Sequence, residues 1–393
     1  METILTPLEE INTRITALQH RLAAEDTEAA LIMDNTDLFY YAGTAQQAYL
    51  YVPAAGGPCL LVKKDLERAR AESPLADIRP VKSLKRLPEA VGRRPGRLGL
   101  EMDVISANML RDLERLFADT ELVDISLSIR KQRAVKSRHE IDIMRRAAEM
   151  SDRVAAFVPE VLTEGMTEIE FAGRVEAEAR RLGHQGLVRM RLWGAELFYG
   201  HIMAGSSAAA LSCLSSPTGG AGTGPAFPQG SSFRRIRAGE PVLVDMAFAW
   251  QGYISDHTRI YALKGIDDDL VDAHQAMLSV QQLIQKSARP GAAAGDLYDM
   301  AVARAEELGY GDCFMGVGAG RIRFVGHGVG LELDEFPFLA NGQSLALAEN
   351  MMVALEPKLI FPGRGVVGIE NTHLVTPDGF EPLGDYPETI TIV

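Results

Sequence analysis

Five side chains of this 393-residue sequence are of the types that hold metal cations: Asp245, Asp256, His327, Glu356 and Glu370. The first two lie in "PVLVDMAFAWQGYISDHTRIYAL", two β-like runs around Gln251–Gly252. A hairpin turn at those two residues predicts Asp245 opposite Thr258, with Asp256 diagonal to Asp245 on the same sheet face. Both aspartates follow apolar strand residues, where unpaired negative charge is expensive. One buried Asp is commonly a turn cap, whereas two on one face of a buried hairpin favour a cation.

A second hairpin repeats the logic. "MMVALEPKLIFPGRGVVGIENTHLVTPDG" places Glu356 and Glu370 on strands flanking "PGRG", opposite each other to within one residue of register. Four carboxylates and His327 form a hard, oxygen-rich set with one imidazole, suited to Mn²⁺, Co²⁺, Fe²⁺ or Zn²⁺ rather than to a thiolate zinc site. Five ligands with bridging carboxylates suit two ions about 3.5–4 Å apart, a pair that can hold a hydroxide and polarise a carbonyl.

The elements that must position these groups fall into two parts. Up to about residue 127, helix and strand patterns alternate. A helix covers about 7–24, followed by strand-like runs "AALIMD", "LFYYAG", "AYLYVP" and "CLLVKK", and then by a helix from Asp65, a strand at "RLGLEM", a helix "ANMLRDLERLF" and a strand "ELVDIS". The basic stretch "SIRKQRAVKSRHE" leads into a long amphipathic helix reaching about Val161, which places the domain boundary near residue 130. The expected division is 1–130 and 131–393. In the second part Thr167, with Glu170 three residues on, reads as a capping box. Strands resume near 197 around the insert "SSPTGGAGTGPAFPQGSS", read either as a solvated loop or as a lid over substrate. Helices at about 267–288 and 296–308 precede a last strand-rich stretch.

Composition narrows the function class. The net charge of −13 argues against phosphate-backbone binding, so no nucleic-acid partner is expected. Apolar residues make up 47% and charged residues 24% of the chain, ordinary for a globular protein with a sizeable core. Cys59, Cys213 and Cys313 are widely spaced, as suits reduced thiols. The N-terminus lacks a basic segment followed by an apolar run, and no apolar stretch reaches the ~18 residues of a membrane span. A cytoplasmic protein without a membrane partner is expected.

The order Asp245, Asp256, His327, Glu356, Glu370, with gaps of 11, 71, 29 and 14, resembles the metallopeptidase family of Xaa-Pro aminopeptidases, prolidases and methionine aminopeptidases. "VLVD", "GYISDHTR", "GHGVGLE", "ALEP" and "IENTHLVTPDG" are similar to its proline-peptidase branch. The resemblance covers nearly the whole chain. It implies an N-terminal creatinase-like α/β domain followed by a C-terminal pita-bread catalytic domain of α+β type. It also implies two divalent metal ions, most often Mn²⁺, and cleavage of the bond before proline. Asp245 would chelate one ion, Asp256 and Glu370 would bridge the two, and His327 and Glu356 would hold the other. Glu356 would also relay a proton. A homodimer acting on a small peptide or other small molecule is implied as well.

The sequence departs from that pattern at three positions. Asp334 stands where the branch has a second histidine, Ser212 where it has a histidine after the preceding strand, and Gly368 where it often has an arginine. The departures leave two enzymatic readings open. The first is a peptidase in which His201, Arg189 or Arg191 takes over substrate contacts. The second is a non-peptidase enzyme, of dimethylsulfoniopropionate-lyase or creatinase type, in which Asp334 serves as a catalytic base. A non-catalytic binding protein is a third expectation, set against the retention of all five ligands.

Overall fold

In the computed structural model, residues 3–92 and 94–393 are described, and their contacts divide the chain after Arg133 into two compact units. The first unit carries one six-stranded mixed sheet. Its strands are β1 (Ala29–Ile32), β2 (Ala48–Pro53), β3 (Cys59–Val62), β4 (Ile78–Pro80), β5 (Arg97–Leu100) and β6 (Glu121–Asp124), in the order β4-β3-β2-β1-β5-β6. Leu31, Leu61, Leu98, Leu100, Leu113 and Phe117 are among the residues of its core.

Within this unit one expectation is corrected. "LFYYAG" belongs to a helix, Asn35–Ala42, and not to a strand. Asp34 caps its start by accepting from the amides of Thr36 and Asp37, and Gly43 ends it in the left-handed conformation at φ 71°. A short aromatic run carries no decisive period, so the two punctuating residues decide. The basic stretch after residue 125 is likewise helical over Ser126–Ala134.

The second unit is built from strands, nearly all antiparallel, covered by helices. Strands β7 (Gly200–Ala204), β8 (Val242–Trp250), β9 (Tyr253–Ala262) and β17 (Thr391–Ile392) form one sheet in the order β17-β9-β8-β7. Strands β10 (Phe324–Gly328), β11 (Glu335–Ala340), β12 (Met352–Leu355), β15 (Asn371–Thr376) and β16 (Gly379–Pro382) form a second, in the order β11-β10-β12-β15-β16. Strands β13 (Lys358–Phe361) and β14 (Gly365–Gly368) pair as a separate hairpin. Helix Arg138–Val161, started by a full Ser137/Glu140 capping box, packs on β8 and β9. Helices Asp268–Ser287 and Ala294–Glu307 pack on each other, the first also against β14 and β16 and the second against β11. Met203, Leu243, Ile260, Met277, Val353, Leu355 and Val375 belong to the core between these layers.

Every residue of β9 is buried, so its charged side chains need partners inside the protein. Gln251 and Gly252 both take positive φ, 51° and 91°, giving the primed turn that matches strand twist. The turn sets the expected register: Asp245 lies opposite Thr258, and Ala247 opposite Asp256. The two sheets meet where Thr258 bridges Glu370, the Thr258 amide donating to the Glu370 carbonyl at 3.2 Å.

Candidate metal and active site

Strand geometry brings all five expected cation-binding residues together. Asp245 and Asp256 share a face of the β8–β9 hairpin. Leu355 pairs with Asn371, and Lys358 pairs with Gly368. One continuous register therefore sets Glu356 against Glu370, at the point where the strands pass from one hairpin to the next. The bridge at Thr258 then draws Glu370 onto the aspartate face, and the Thr258 hydroxyl donates to Glu370 Oε2 at 2.9 Å. His327 enters from β10, paired with Ala354 of β12 and Phe338 of β11.

The glycines beside His327 serve the neighbouring strands. A Cβ on Gly328 would stand 2.1 Å from the Phe336 carbonyl oxygen, and one on Gly326 2.6 Å from that of Ala354. Bare backbone lets three strands close around the imidazole.

His327 has a defined orientation. Its Nδ1 lies 3.0 Å from the Leu333 carbonyl oxygen and 3.1 Å from that of Gly328, so Nδ1 carries the hydrogen and donates it. Nε2 is left with its lone pair, 3.8 Å from Asp256 Oδ2, 3.9 Å from Glu370 Oε1 and 4.0 Å from Glu356 Oε1. These spacings are too long for hydrogen bonds but near those between ligands of one cation, for metal–ligand bonds of about 2.0–2.2 Å. One donor atom each from Asp256, His327 and Glu370 fall within 4.8 Å of one another. The donor set therefore fits a divalent ion on the His327 side.

The Asp245 side is different. The Lys358 ammonium lies 3.2 Å from Asp245 Oδ2, 2.9 Å from Glu356 Oε2 and 2.6 Å from Glu370 Oε2. Lys358 was not among the residues singled out in the sequence. Its signal is the two-residue spacing from Glu356 in "ALEPKLIF", which in extended backbone turns both side chains to the same side.

The electrostatics follow from burial and crowding. Burial, then the Glu370 and Asp245 charges, hold the Asp256 carboxyl well above the usual carboxylate range. Burial, with Glu356 and Asp245, pushes Glu370 up to about 7 despite Lys358. Burial alone would lower Lys358 and His327. The carboxylates outweigh it in both, Asp245, Glu356 and Glu370 for the lysine, and Asp334, Glu356 and Glu370 for the histidine. Such crowding of acids is stable only with cations among them.

The acidic pair after His327 divides by role. Glu335 turns inward: Oε1 accepts from the amides of Leu331 and Glu332, and Oε2 from buried Lys136 at 2.9 Å. That clip holds the turn that carries Asp334. Asp334 Oδ1 lies 3.7 Å from His327 Nδ1, and its side chain lines the cavity.

The cavity opens above these residues. Met190, Leu197, Leu214, Phe324 and Leu333 give it apolar walls over a floor of Asp245, Asp256, His327, Glu356, Lys358 and Glu370. His201, expected to contact substrate, lines it too. Its Nδ1 is 3.1 Å from the Thr218 hydroxyl, Nε2 has no close hydrogen-bond partner among the described residues, and burial lowers the imidazole below its ordinary value despite Asp245 and Gln229.

Arg189 and Arg191, also expected as substrate contacts, do not line the cavity. The alternate residues Met190 and Leu192 do. Arg191 is buried 3.7 Å from Glu332, and the Arg189 carbonyl accepts from the Leu333 amide. Local alternation turns the two arginines away. The insert 215–232 is not wholly solvated: Thr218 is fully buried, and Ser215 and Ser216 reach the cavity.

Comparison with known proteins agrees with this geometry. The model of metallopeptidase family M24 matches residues 142–377, which hold every residue of the site. The chain belongs to that family. As metallopeptidases, M24 proteins imply a divalent-metal cofactor and a peptidase-type hydrolase. The creatinase/prolidase N-terminal domain matches residues 14–135. The Xaa-Pro dipeptidase of Pyrococcus horikoshii is 28% identical over 95% of this chain and 97% of its own length. The crystal structure of the prolidase from that organism superposes with a TM-score of 0.80 at 25% identity, covering 96% of this chain and 99% of the other. The X-Pro aminopeptidase of Thermotoga maritima, at 23% identity and TM-score 0.80 over 96% and 99% of the two chains, shares the fold. The expected architecture, a creatinase-like domain followed by a pita-bread domain, is the one found.

Proposed function

We propose that this M24 protein is a prolidase-like, divalent-metal-dependent peptidase that cleaves the bond between an N-terminal residue and proline. The observation that carries the reading is the convergence of His327 Nε2 with Asp256, Glu356 and Glu370 on the floor of an apolar-walled cavity. When bound, a divalent ion supplies a Lewis acid to the scissile carbonyl. Asp256, His327, Glu356 and Glu370 would hold it, with Asp245 at the edge of the set. The Leu333 carbonyl fixes the imidazole tautomer that such binding needs. Glu356 is the proposed proton carrier, and Met190, Leu197, Phe324 and Leu333 offer a proline ring an apolar wall. His201 Nε2, unpartnered in the lining, is the proposed polar contact to substrate. The divalent ion is proposed to be Mn²⁺, with Co²⁺, Fe²⁺ and Zn²⁺ compatible with the same donors.

The homodimer that the family resemblance implies is carried over as part of this reading, and the three separated cysteines suit a cytoplasmic compartment. Among the described residues no helix is long and apolar enough to cross a membrane.

A second reading has one observation in its favour. Asp334, at the position of the branch's second histidine, places a carboxylate on the cavity wall beside His327. A base there suits proton abstraction next to a carbonyl, as in a lyase. The deciding experiment incubates Mn²⁺- or Co²⁺-loaded protein with Xaa-Pro dipeptides, longer Xaa-Pro peptides, dimethylsulfoniopropionate and creatine. Release of the N-terminal residue, with free proline from the dipeptides, supports the peptidase. Turnover confined to the non-peptides, in protein shown to contain metal, favours the second reading.

A further inference from the structure

Lys358 stands where a dinuclear centre would need room for its second ion. Its ammonium has three N–H donors, and three carboxylates meet it: Asp245 Oδ2, Glu356 Oε2 and Glu370 Oε2, at 3.2, 2.9 and 2.6 Å. The opposite oxygens of the two glutamates, Oε1 in each case, are those turned toward His327 Nε2. Glu356 and Glu370 thus straddle two cation positions, as bridging carboxylates do. One position is open to His327 and Asp256, and the other is filled by the ammonium.

The lysine is built into this place. Its side chain is 1% exposed, and its stem rises across from Gly368 at φ 151°. A Cβ on residue 368 would come within 2.5 Å of the Pro357 carbonyl oxygen, 2.7 Å of Lys358 Cα and 3.0 Å of Lys358 Cγ. The missing side chain at 368 and the cation at 358 are therefore one arrangement. A divalent ion bonded to Asp245 Oδ2 and Glu370 Oε2 at about 2.0–2.2 Å would sit against the ammonium, with two positive centres sharing the same oxygens.

We propose that the Lys358 ammonium takes the Asp245-side cation position, so that the chain carries a single divalent ion, on Asp256, His327, Glu356 and Glu370. This rests on the metallopeptidase reading and departs from the two-ion centre that the resemblance implied. Asp245 then serves to hold the lysine, and the fixed charge of a side chain replaces that of an exchangeable metal.

The test is a count of bound metal in the full-length protein. Equilibrium dialysis against Mn²⁺ followed by elemental analysis gives one ion per chain, and low-temperature electron paramagnetic resonance gives a mononuclear six-line signal. Lys358→Ala takes up a second ion and shows an exchange-coupled spectrum. Two ions in the wild type overturn the inference and leave the peptidase reading standing, whereas none overturns both. A folded Lys358→Ala variant that still binds one ion removes the lysine from its assigned place. If that variant does not fold, the wild-type count and spectrum decide alone.

Discussion

His327 is held in the tautomer and among the carboxylates that binding a cation would require. Leu333 and Gly328 carbonyls occupy its Nδ1, and three carboxylates stand 3.8–4.0 Å from its Nε2. Asp334 faces the other edge of the ring, outside the carboxylate cluster. From that placement, Asp334→Ala is predicted to lower turnover at least tenfold while leaving metal content unchanged; steady-state kinetics beside elemental analysis measure both. Unaltered kinetics would reduce Asp334 to a structural partner of the histidine. At this scale the sequence points to the five residues that the fold brings together, because aspartates and glutamates inside apolar strands are conspicuous. It does not show Lys358, because a lysine near a turn reads as solvated until its two-residue spacing from Glu356 is considered. Nor does it separate Arg189 and Arg191 from Met190 and Leu192, since the direction of an irregular segment is set by what it packs against.

At the scale of elements, the site is made by hairpins whose registers agree. The primed turn at Gln251–Gly252 fixes one, and the register shared by Leu355–Asn371 and Lys358–Gly368 fixes the other. These pairings were legible because turn residues and alternation specify register locally. The bridge from Thr258 to Glu370 was not, as it joins sheets from distant parts of the chain. The turn after His327 depends on the buried Lys136–Glu335 pair, with side chains 1% and 6% exposed. Removing one partner of such a pair leaves an uncompensated buried charge. Glu335→Ala is therefore predicted to cost about 3–5 kcal/mol of stability in urea unfolding. A loss under 1 kcal/mol would mean that the clip is dispensable.

For the whole molecule, burial of neutral histidines makes one part of the response to acid. Burial pushes His373 and His184 down to about 4, and the Gln285 amide, 2.9 Å from His373 Nε2, donates to an unprotonated ring. In the unfolded chain both titrate near 6.5, so that state binds more protons between about pH 6.5 and 4. The two histidines' contribution to stability is full above that window and is lost as pH drops through it, by on the order of 3 kcal/mol per histidine. His373→Gln is predicted to lose less stability than the wild type between pH 7 and 4.5, read from denaturant midpoints at each pH. Equal losses would contradict the assignment.

The two-part organisation was readable from the alternating patterns and the basic stretch that follows them. The helix at Asn35–Ala42 was not, because its capping residues carry more information than its aromatic run. The most direct test of the account as a whole is proline release from an Xaa-Pro dipeptide by Mn²⁺-loaded wild type and by His327→Ala, with metal content measured in the same samples. The account predicts release by the wild type, lost on chelation, and in the variant a joint loss of bound metal and activity of at least a hundredfold. Metal-containing wild type that releases no proline, or a fully active His327→Ala, would contradict it.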